Sequence, residues 1–572
     1  MVSADVVIVN GKVATVDRAF SFKEAIAVKD GWIIDVGTDA EIKSYIGPGT
    51  ETIDLCGKLI LPAAHDSHMH GMVFALNSRC FNCGMPVVHT LTELQEALAA
   101  HAEKLPEGAW IRGVNLNAGA FPECEGRGIA RSDIDAYTCG HPAILLDWSG
   151  HGTLVNSEAL ALSGLDRDTK DPTGGFLVRD AEGELTGYLQ EASAMHLVFE
   201  NAPLWSDEEM TEAIFTLQKI LNREGYSGFT ESTLGPAGNV REYGSSGERG
   251  IYLYKRLADE GKLTVRVAVG FYSGIDGVQS YEYMKHDLDT FDFPNSNDPM
   301  WFKINMMKVF ADGVHLFHSG WLLDDYADMP GSHGSSCLLD EGATDEEQAE
   351  ELGRIIELAH CRGYQIAVHA IGDRAIEESL NAIIAAKQKH PGKNPRHYIL
   401  HAESLGRPEQ AAKAARYIIP YSVQPAISDH AFEPTIGCIG PRGERSFDLK
   451  TLLDEGVFLC GGSDAIAGVF PHWRMAVQSA LTRRSAITGK VYSPELCITV
   501  EDAVRMYTIN AVYQEHMEEV RGSIEPGKAA DFQVLDRDIF QTPADEIGSI
   551  GVVMTMVDGK VVYEKGNEEH GQ

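Results

Sequence analysis

The stretch LPAAHDSHMHG (residues 61–71) reads as a buried strand, because the apolar run LILP leads into it, yet it carries three histidines and an aspartate. Strand side chains alternate between faces with period two. His68 and His70 therefore share one face, and His65 lies on the other. Two neutral imidazoles one pleat apart reach a single transition-metal cation. An isolated His-x-His is more often a pair of hydrogen-bonded core or surface histidines, so its meaning depends on partners elsewhere in the chain.

Outward from this strand, further strand-like runs follow at GYSGFTES (225–232), LTVRVAVGF (263–271) and FKINMMKVFADG (302–313). They continue at YQIAVHAIGD (364–373), HYILHAE (397–403), YIIPYSVQP (417–425) and FLCGGSDA (458–465). Helical patterns such as TDEEQAEELGRIIELAHCRG and RPEQAAKAARY separate them. Eight strands alternating with helices predict an α/β fold, a parallel (β/α)8 TIM barrel over residues 61–519. The gap between the first two strands is about 150 residues, far beyond an ordinary connection. It predicts an inserted α/β subdomain at about residues 80–200, over the barrel mouth.

The two ends of the chain share a different style. VVIVNGKVATV, AIAVKDGWIIDVG and TIDLCGKLIL open it, and ADFQVLD and GVVMTMVDGKVVYEKG close it. Asn10-Gly11, Asp30-Gly31 and Asp558-Gly559 are hairpin signals. Residues 1–60 and 520–572 are expected to form one small β domain.

With 48 Lys+Arg against 84 Asp+Glu, the formal charge is -36. Such a chain repels nucleic acid and anionic membranes, and no basic tract reverses this locally. The N-terminus lacks a signal-peptide pattern, and no apolar run is long enough to span a bilayer. Ten scattered cysteines, with a single C-x-x-C at Cys80 and Cys83, read as reduced thiols. A cytoplasmic protein with a small-molecule substrate, no nucleic-acid or membrane partner, and compatibility with a homodimer is expected.

Catalytic groups in such barrels sit at the C-terminal ends of the strands. There the sequence offers His68 and His70, then Lys308, His369, His401 and Asp464 in chain order. Singly, each has an ordinary explanation: a lysine paired with an acid such as Asp312, core histidines, an aspartate capping a helix. Together they supply the nitrogen and oxygen donors that zinc-like cations accept. A lysine beside a dication is depressed in pKa by positive neighbours and burial. Its free amine can take up carbon dioxide as an anionic carbamate able to bridge two metals.

The set resembles the amidohydrolase superfamily of metal-dependent hydrolases. The words SGHGTLVNSEAL, MKVFADG, AVHAIGD, HAE, GSD and GSIEPGKAADFQVLD are similar to a subgroup that includes N-substituted formamide deformylases and exoenzyme-regulator-like proteins. The resemblance implies a barrel with a composite β-sandwich and one or two zinc ions, two preferred. It assigns His68, His70 and Asp464 to one ion, His369 and His401 to the other, and Lys308 as the bridging carbamate. Asp464 would also shuttle the proton from metal-activated hydroxide to the leaving group.

Three departures from the family pattern stand out. LPAAHD replaces the usual LPGFID, Gly113-Val114-Asn115 replaces Gly-Trp-Asp, and GSDAIAG lacks the usual proline. Hydrolysis of an amide-type C–N bond is one expected activity. Ring deamination is a second, weakened because related deaminases resemble one another in a His-x-x-Glu, whereas Gly372 occupies that offset from His369. A non-catalytic regulator is a third. Asp373 either caps the next helix or touches substrate. His151, His318 and Trp321 are further candidates to bind it, and Phe317, Phe470 and Trp473 are candidates to line an apolar pocket.

Overall fold

The computed structural model describes residues 3–566 except 85–86, 118–120, 125–126, 149, 151, 173–174, 240–246, 276–277, 340–341, 403–406 and 467–469. Eight parallel strands form the central sheet in chain order. They are β1 (Ala64–Met69), β2 (Tyr226–Leu234), β3 (Arg266–Tyr272) and β4 (Phe302–Phe310). Then follow β5 (Gln365–Ala370), β6 (Tyr398–His401), β7 (Tyr421–Val423) and β8 (Leu459–Gly461). Helices cover the sheet. The helix Asp345–Arg362, for example, begins at a Thr344–Glu347 capping box and ends at Gly363 with φ 86°. Leu352, Ile355, Ile356 and Ala359, at helical spacing, form its buried face.

The ring closes just beyond β8. The Asp464 amide donates to the His68 carbonyl at 2.8 Å, and the His70 amide donates to the Ala465 carbonyl at 3.0 Å. A third bond runs from the Ser463 amide to the Asp66 carboxylate at 2.9 Å. Gly462 permits this approach: a Cβ there would lie 2.8 Å from the His68 nitrogen and 3.0 Å from its carbonyl oxygen.

The face of β1 carrying His65 meets a buried ionic cluster. His65 Nε2 lies 2.6 Å from Glu515 Oε1, and Lys303 and Arg521 hold the other carboxylate oxygen. Burial works to raise the Glu515 carboxyl, but His65, Lys303 and Arg521 together hold it well below the usual range.

Two sheets face each other, one built from the N-terminal end alone and one from both ends of the chain. One joins Val6–Val9, Ala25–Lys29, Trp32–Gly37 and Glu51–Asp54. The other pairs Leu59–Pro62 with Phe532–Leu535, and extends to Lys12–Ala14 and Phe22–Lys23 on one side and Val552–Val557 and Lys560–Glu564 on the other. Ile8, Ile26 and Val28 of the first pack with Ile60, Phe532 and Val534 of the second. Asp30-Gly31 and Asp558-Gly559 are two-residue hairpin turns, with φ positive at all four residues. Asn10-Gly11 is not. It carries the chain between the two sheets, and only Asn10 has positive φ, so the type I′ turn does not form. Between β1 and β2 a separate six-stranded sheet runs from Phe81 to Gln190. Among the described residues no helix is long and apolar enough to cross a membrane.

Because the atoms opposite Gly462 are backbone, they cannot turn aside as a side-chain tip would. Gly462→Ala should therefore cost about 1–3 kcal/mol by overpacking and pull Asp464 away from His68. A lowered thermal midpoint together with reduced bound metal is the expected result. A variant that melts and binds metal like the parent would show that the seam tolerates the side chain.

Candidate metal centre

His68 and His70 project from the end of β1 toward a single atom. Their Nε2 nitrogens each lie 3.2 Å from Asp464 Oδ1. His401, from the end of β6, brings Nδ1 to 4.0 Å from Asp464 Oδ2. Ligand atoms of His68, His401 and Asp464 all lie within 4.8 Å of one another. The His369 ring, from β5, sits 4.4 Å from that of His401, centroid to centroid. Lys308, on β4, is buried, with its Nζ 4.5 Å from the Phe310 ring centre, and Phe310 in turn lies 4.8 Å from His369. The six residues singled out in the sequence thus converge at one end of the barrel.

The tautomers that suit a cation are set from behind. Gln424 Oε1 lies 3.0 Å from His401 Nδ1 and can only accept, so Nδ1 carries the proton and Nε2 offers its lone pair. The Gly313 carbonyl, 3.3 Å from His369 Nε2, imposes the opposite choice and leaves Nδ1 as the donor atom. Ser232 Oγ approaches His68 Nδ1 at 2.6 Å, and Thr233 Oγ1 approaches His70 Nδ1 at 2.8 Å. With Nδ1–H donating to each hydroxyl, both Nε2 atoms face Asp464 with their lone pairs. Such partners fix ring orientation and raise ligand basicity. The donor set therefore fits a zinc-like ion in both atom type and tautomer.

Electrostatics agrees. Burial, then the charge of Lys308, holds His68 well below the usual imidazole range, which keeps it neutral. Burial works to raise Asp464, but the imidazoles that surround it, His68 first and then His70 and His401, hold its carboxyl well below the usual range. His401 and Asp464 also have positive φ, 69° and 54°, a conformation that costs a side chain energy and recurs at functional sites.

Asp312 flanks this centre, 3.8 Å from His369 Nε2, and the remaining candidates fall elsewhere. Asp312 accepts backbone hydrogen bonds from Ile371, Gly372 and Trp321, at 2.9, 2.7 and 2.9 Å. Burial pushes its carboxyl up to about 7. Asp373 is the first residue of its helix, while Gly372 occupies the cap position. Its buried carboxylate accepts from the Leu323 amide and pairs with Arg407. Trp321 is fully buried and donates its indole N–H to Asp345 at 2.8 Å, so it packs the β4 loop and presents no surface to a ligand. Trp473 is buried too, whereas Phe470 is exposed. His318 faces Asp328. His151 lies outside the described residues. The sequence reading missed Ser232, Thr233 and Gln424, although a polar residue at the buried end of an apolar strand was the available signal.

This barrel and its donor set define a metal-dependent hydrolase. The amidohydrolase family model matches residues 51–563, and the chain belongs to that family. It is 31% identical to the YtcJ protein of Bacillus subtilis (strain 168), over 95% of this chain and 96% of that one. It is 28% identical to the N-substituted formamide deformylase of Arthrobacter pascens, over 98% of each chain. A metal-dependent hydrolase from Pyrococcus horikoshii OT3 shares the fold, with a TM-score of 0.72 at 21% identity, covering 94% of this chain and 99% of that one.

Ser232→Ala removes the hydroxyl behind His68 without touching a ligand. Metal affinity should fall about 10- to 100-fold, read as the free-metal concentration that half-restores activity of chelator-treated protein. Restoration at the wild-type concentration would show that Ser232 plays no part in holding the ring.

Proposed function

We propose that this metal-dependent hydrolase cleaves an amide-type C–N bond of a small, partly apolar molecule. The observation that carries the reading over ring deamination is Gly372. It occupies the offset from His369 at which related deaminases hold a proton-handling glutamate. A Cβ at Gly372 would fall 2.0 Å from the Trp321 carbonyl oxygen. No side chain, acidic or otherwise, fits there. The complete donor set, with a hydrogen-bond partner behind each histidine, argues for an enzyme over a non-catalytic relative.

In this reading His68, His70 and Asp464 would hold one zinc ion and His369 and His401 a second, and Lys308, as its carbamate, would supply oxygen donors to both. When bound, such ions acidify water and polarise the carbonyl under attack. The protein's own groups do the rest. Asp464, ionised and facing two imidazoles, accepts the proton of the attacking water and returns it to the departing nitrogen. Ser232, Thr233 and Gln424 keep the rings from turning. Lys308 loses a proton when its amine adds to carbon dioxide, so the site gains two oxygens and one negative charge. The similarity to the formamide deformylase supports the bond class. Ten cysteines, all free thiols, favour the cytoplasm. The charge of -36 weighs against a nucleic-acid partner, and a homodimer remains our expectation.

Two measurements test this. Protein purified without chelator should carry about two equivalents of zinc-like metal, as implied by a binuclear site, and hydrolyse members of a chromogenic amide panel. A single equivalent would remove the bridging role. Lys308→Arg should be inactive and metal-poor, because guanidinium cannot form the carbamate and sets a fixed cation against the metals. Full activity with normal metal in that variant would eliminate the carbamate while leaving the histidine ligands in place.

A further inference from the structure

The loop after β4 carries a second group of metal-ligating side chains, outside the centre described above. His318 Nε2 lies 3.0 Å from each carboxylate oxygen of Asp328. Cys438, near the end of the helix Ser428–Ile439, completes a trio whose nitrogen, oxygen and sulfur atoms lie within 4.8 Å of one another.

Several features hold the trio together. The Ala327 amide donates to the Cys438 carbonyl at 2.8 Å, which sets Asp328 beside the helix end. The His318 ring packs edge-on against Tyr326, with centroids 4.8 Å apart. His318 adopts φ 53°, a left-handed conformation that side chains seldom take. Arg442 brings positive charge to this region, but it is engaged by the Asp324 carboxylate at 3.2 Å and by the carbonyls of Asp325 and Ile439. Cys438 is buried, whereas the side chains of His318 and Asp328 are 24% and 42% exposed, so one side is open to water. A comparable trio, Glu357, Cys361 and His390, differs in one decisive respect: the Lys389 ammonium already neutralises Glu357 from 2.6 Å.

One imidazole, one carboxylate and one thiol make a borderline-soft donor set, suited to zinc and its neighbours and poorly suited to magnesium or calcium. We propose that His318, Asp328 and Cys438 bind one zinc-class divalent cation, distinct from the hydrolase centre, with water completing its shell. The ion would tie the β4 loop to the helix that follows β7. On binding, the Cys438 S–H bond breaks, sulfur bonds to the cation as thiolate, and the proton leaves to solvent. Burial, then the charge of Asp328, pushes this thiol up to about 11, so it keeps its proton until a cation displaces it.

Cobalt(II) tests the site, because thiolate ligation gives an intense near-ultraviolet charge-transfer band. No thiol belongs to the hydrolase ligand set, and loss of the band in Cys438→Ser with its retention in Cys361→Ser assigns it to this site. Titration of the full-length, metal-depleted protein should raise the band until it saturates at one thiolate-bound cobalt per chain, beyond the two equivalents that the hydrolase centre takes up. Cys438→Ser should abolish it, and His318→Asn should weaken cobalt binding at least tenfold. His68→Ala, which damages the hydrolase centre, should leave it unchanged. The wild-type titration stands whether or not a variant folds. A wild-type protein without the band at saturating cobalt would overturn the proposal, as would a band that survives Cys438→Ser.

Discussion

Everything at the candidate metal centre depends on closing a ring of strands. A sheet edge leaves amides and carbonyls unpaired, and burying them so is costly. Here the last edge is satisfied where β8 runs out, by bonds from the amides of Asp464 and His70 to the carbonyls of His68 and Ala465. The residues that pair the backbone are the ones whose side chains meet, or their immediate neighbours. His68 and Asp464 are therefore positioned by the barrel itself and not by a flexible loop, which favours a precise site.

The same strand handles charge in two ways. On one face the imidazoles of His68 and His70 aim at Asp464. On the other, His65 is locked to Glu515, with Lys303 and Arg521 alongside. Removing one partner from a buried ionic group leaves charge without compensation, at about 3–5 kcal/mol. The two faces thus have opposite tolerances. Asp66 sits between them and serves neither: it ties the seam through the amides of Ser463 and His68. The histidines and the aspartate of LPAAHDSHMHG thus divide three tasks: His68 and His70 face Asp464, His65 holds Glu515, and Asp66 ties the seam.

The eight strands and the converging residues were legible because each strand is an apolar run, and its chemistry stands at a predictable end. The hairpins at Asp558-Gly559 and Asp30-Gly31 were legible from their turn dipeptides. Asn10-Gly11 misled because a turn dipeptide specifies local dihedrals, not which sheet the next strand joins. Trp321 looked like a pocket residue because aromatic loops often line ligand sites. The loop doubles back so that the Trp321 amide reaches Asp312 and its indole reaches Asp345, a tertiary outcome with no local signature. Ser232, Thr233 and Gln424 escaped notice because one hydroxyl or amide on a strand has no periodicity to mark it.

The seam also governs when the molecule can become itself. Asp66 and Ser463, bonded side chain to backbone, stand 397 positions apart along the chain. Contacts of such separation form late, because long loops must close first. A chain emerging from the ribosome holds β1 early but lacks the partner for its open edge until nearly the whole barrel has been made. Through that interval the first two histidines have no carboxylate opposite them. The ligand set is therefore complete only once β8 has been made, and a chain truncated before the eighth strand would carry both an incomplete ligand shell and an unprotected edge open to aggregation.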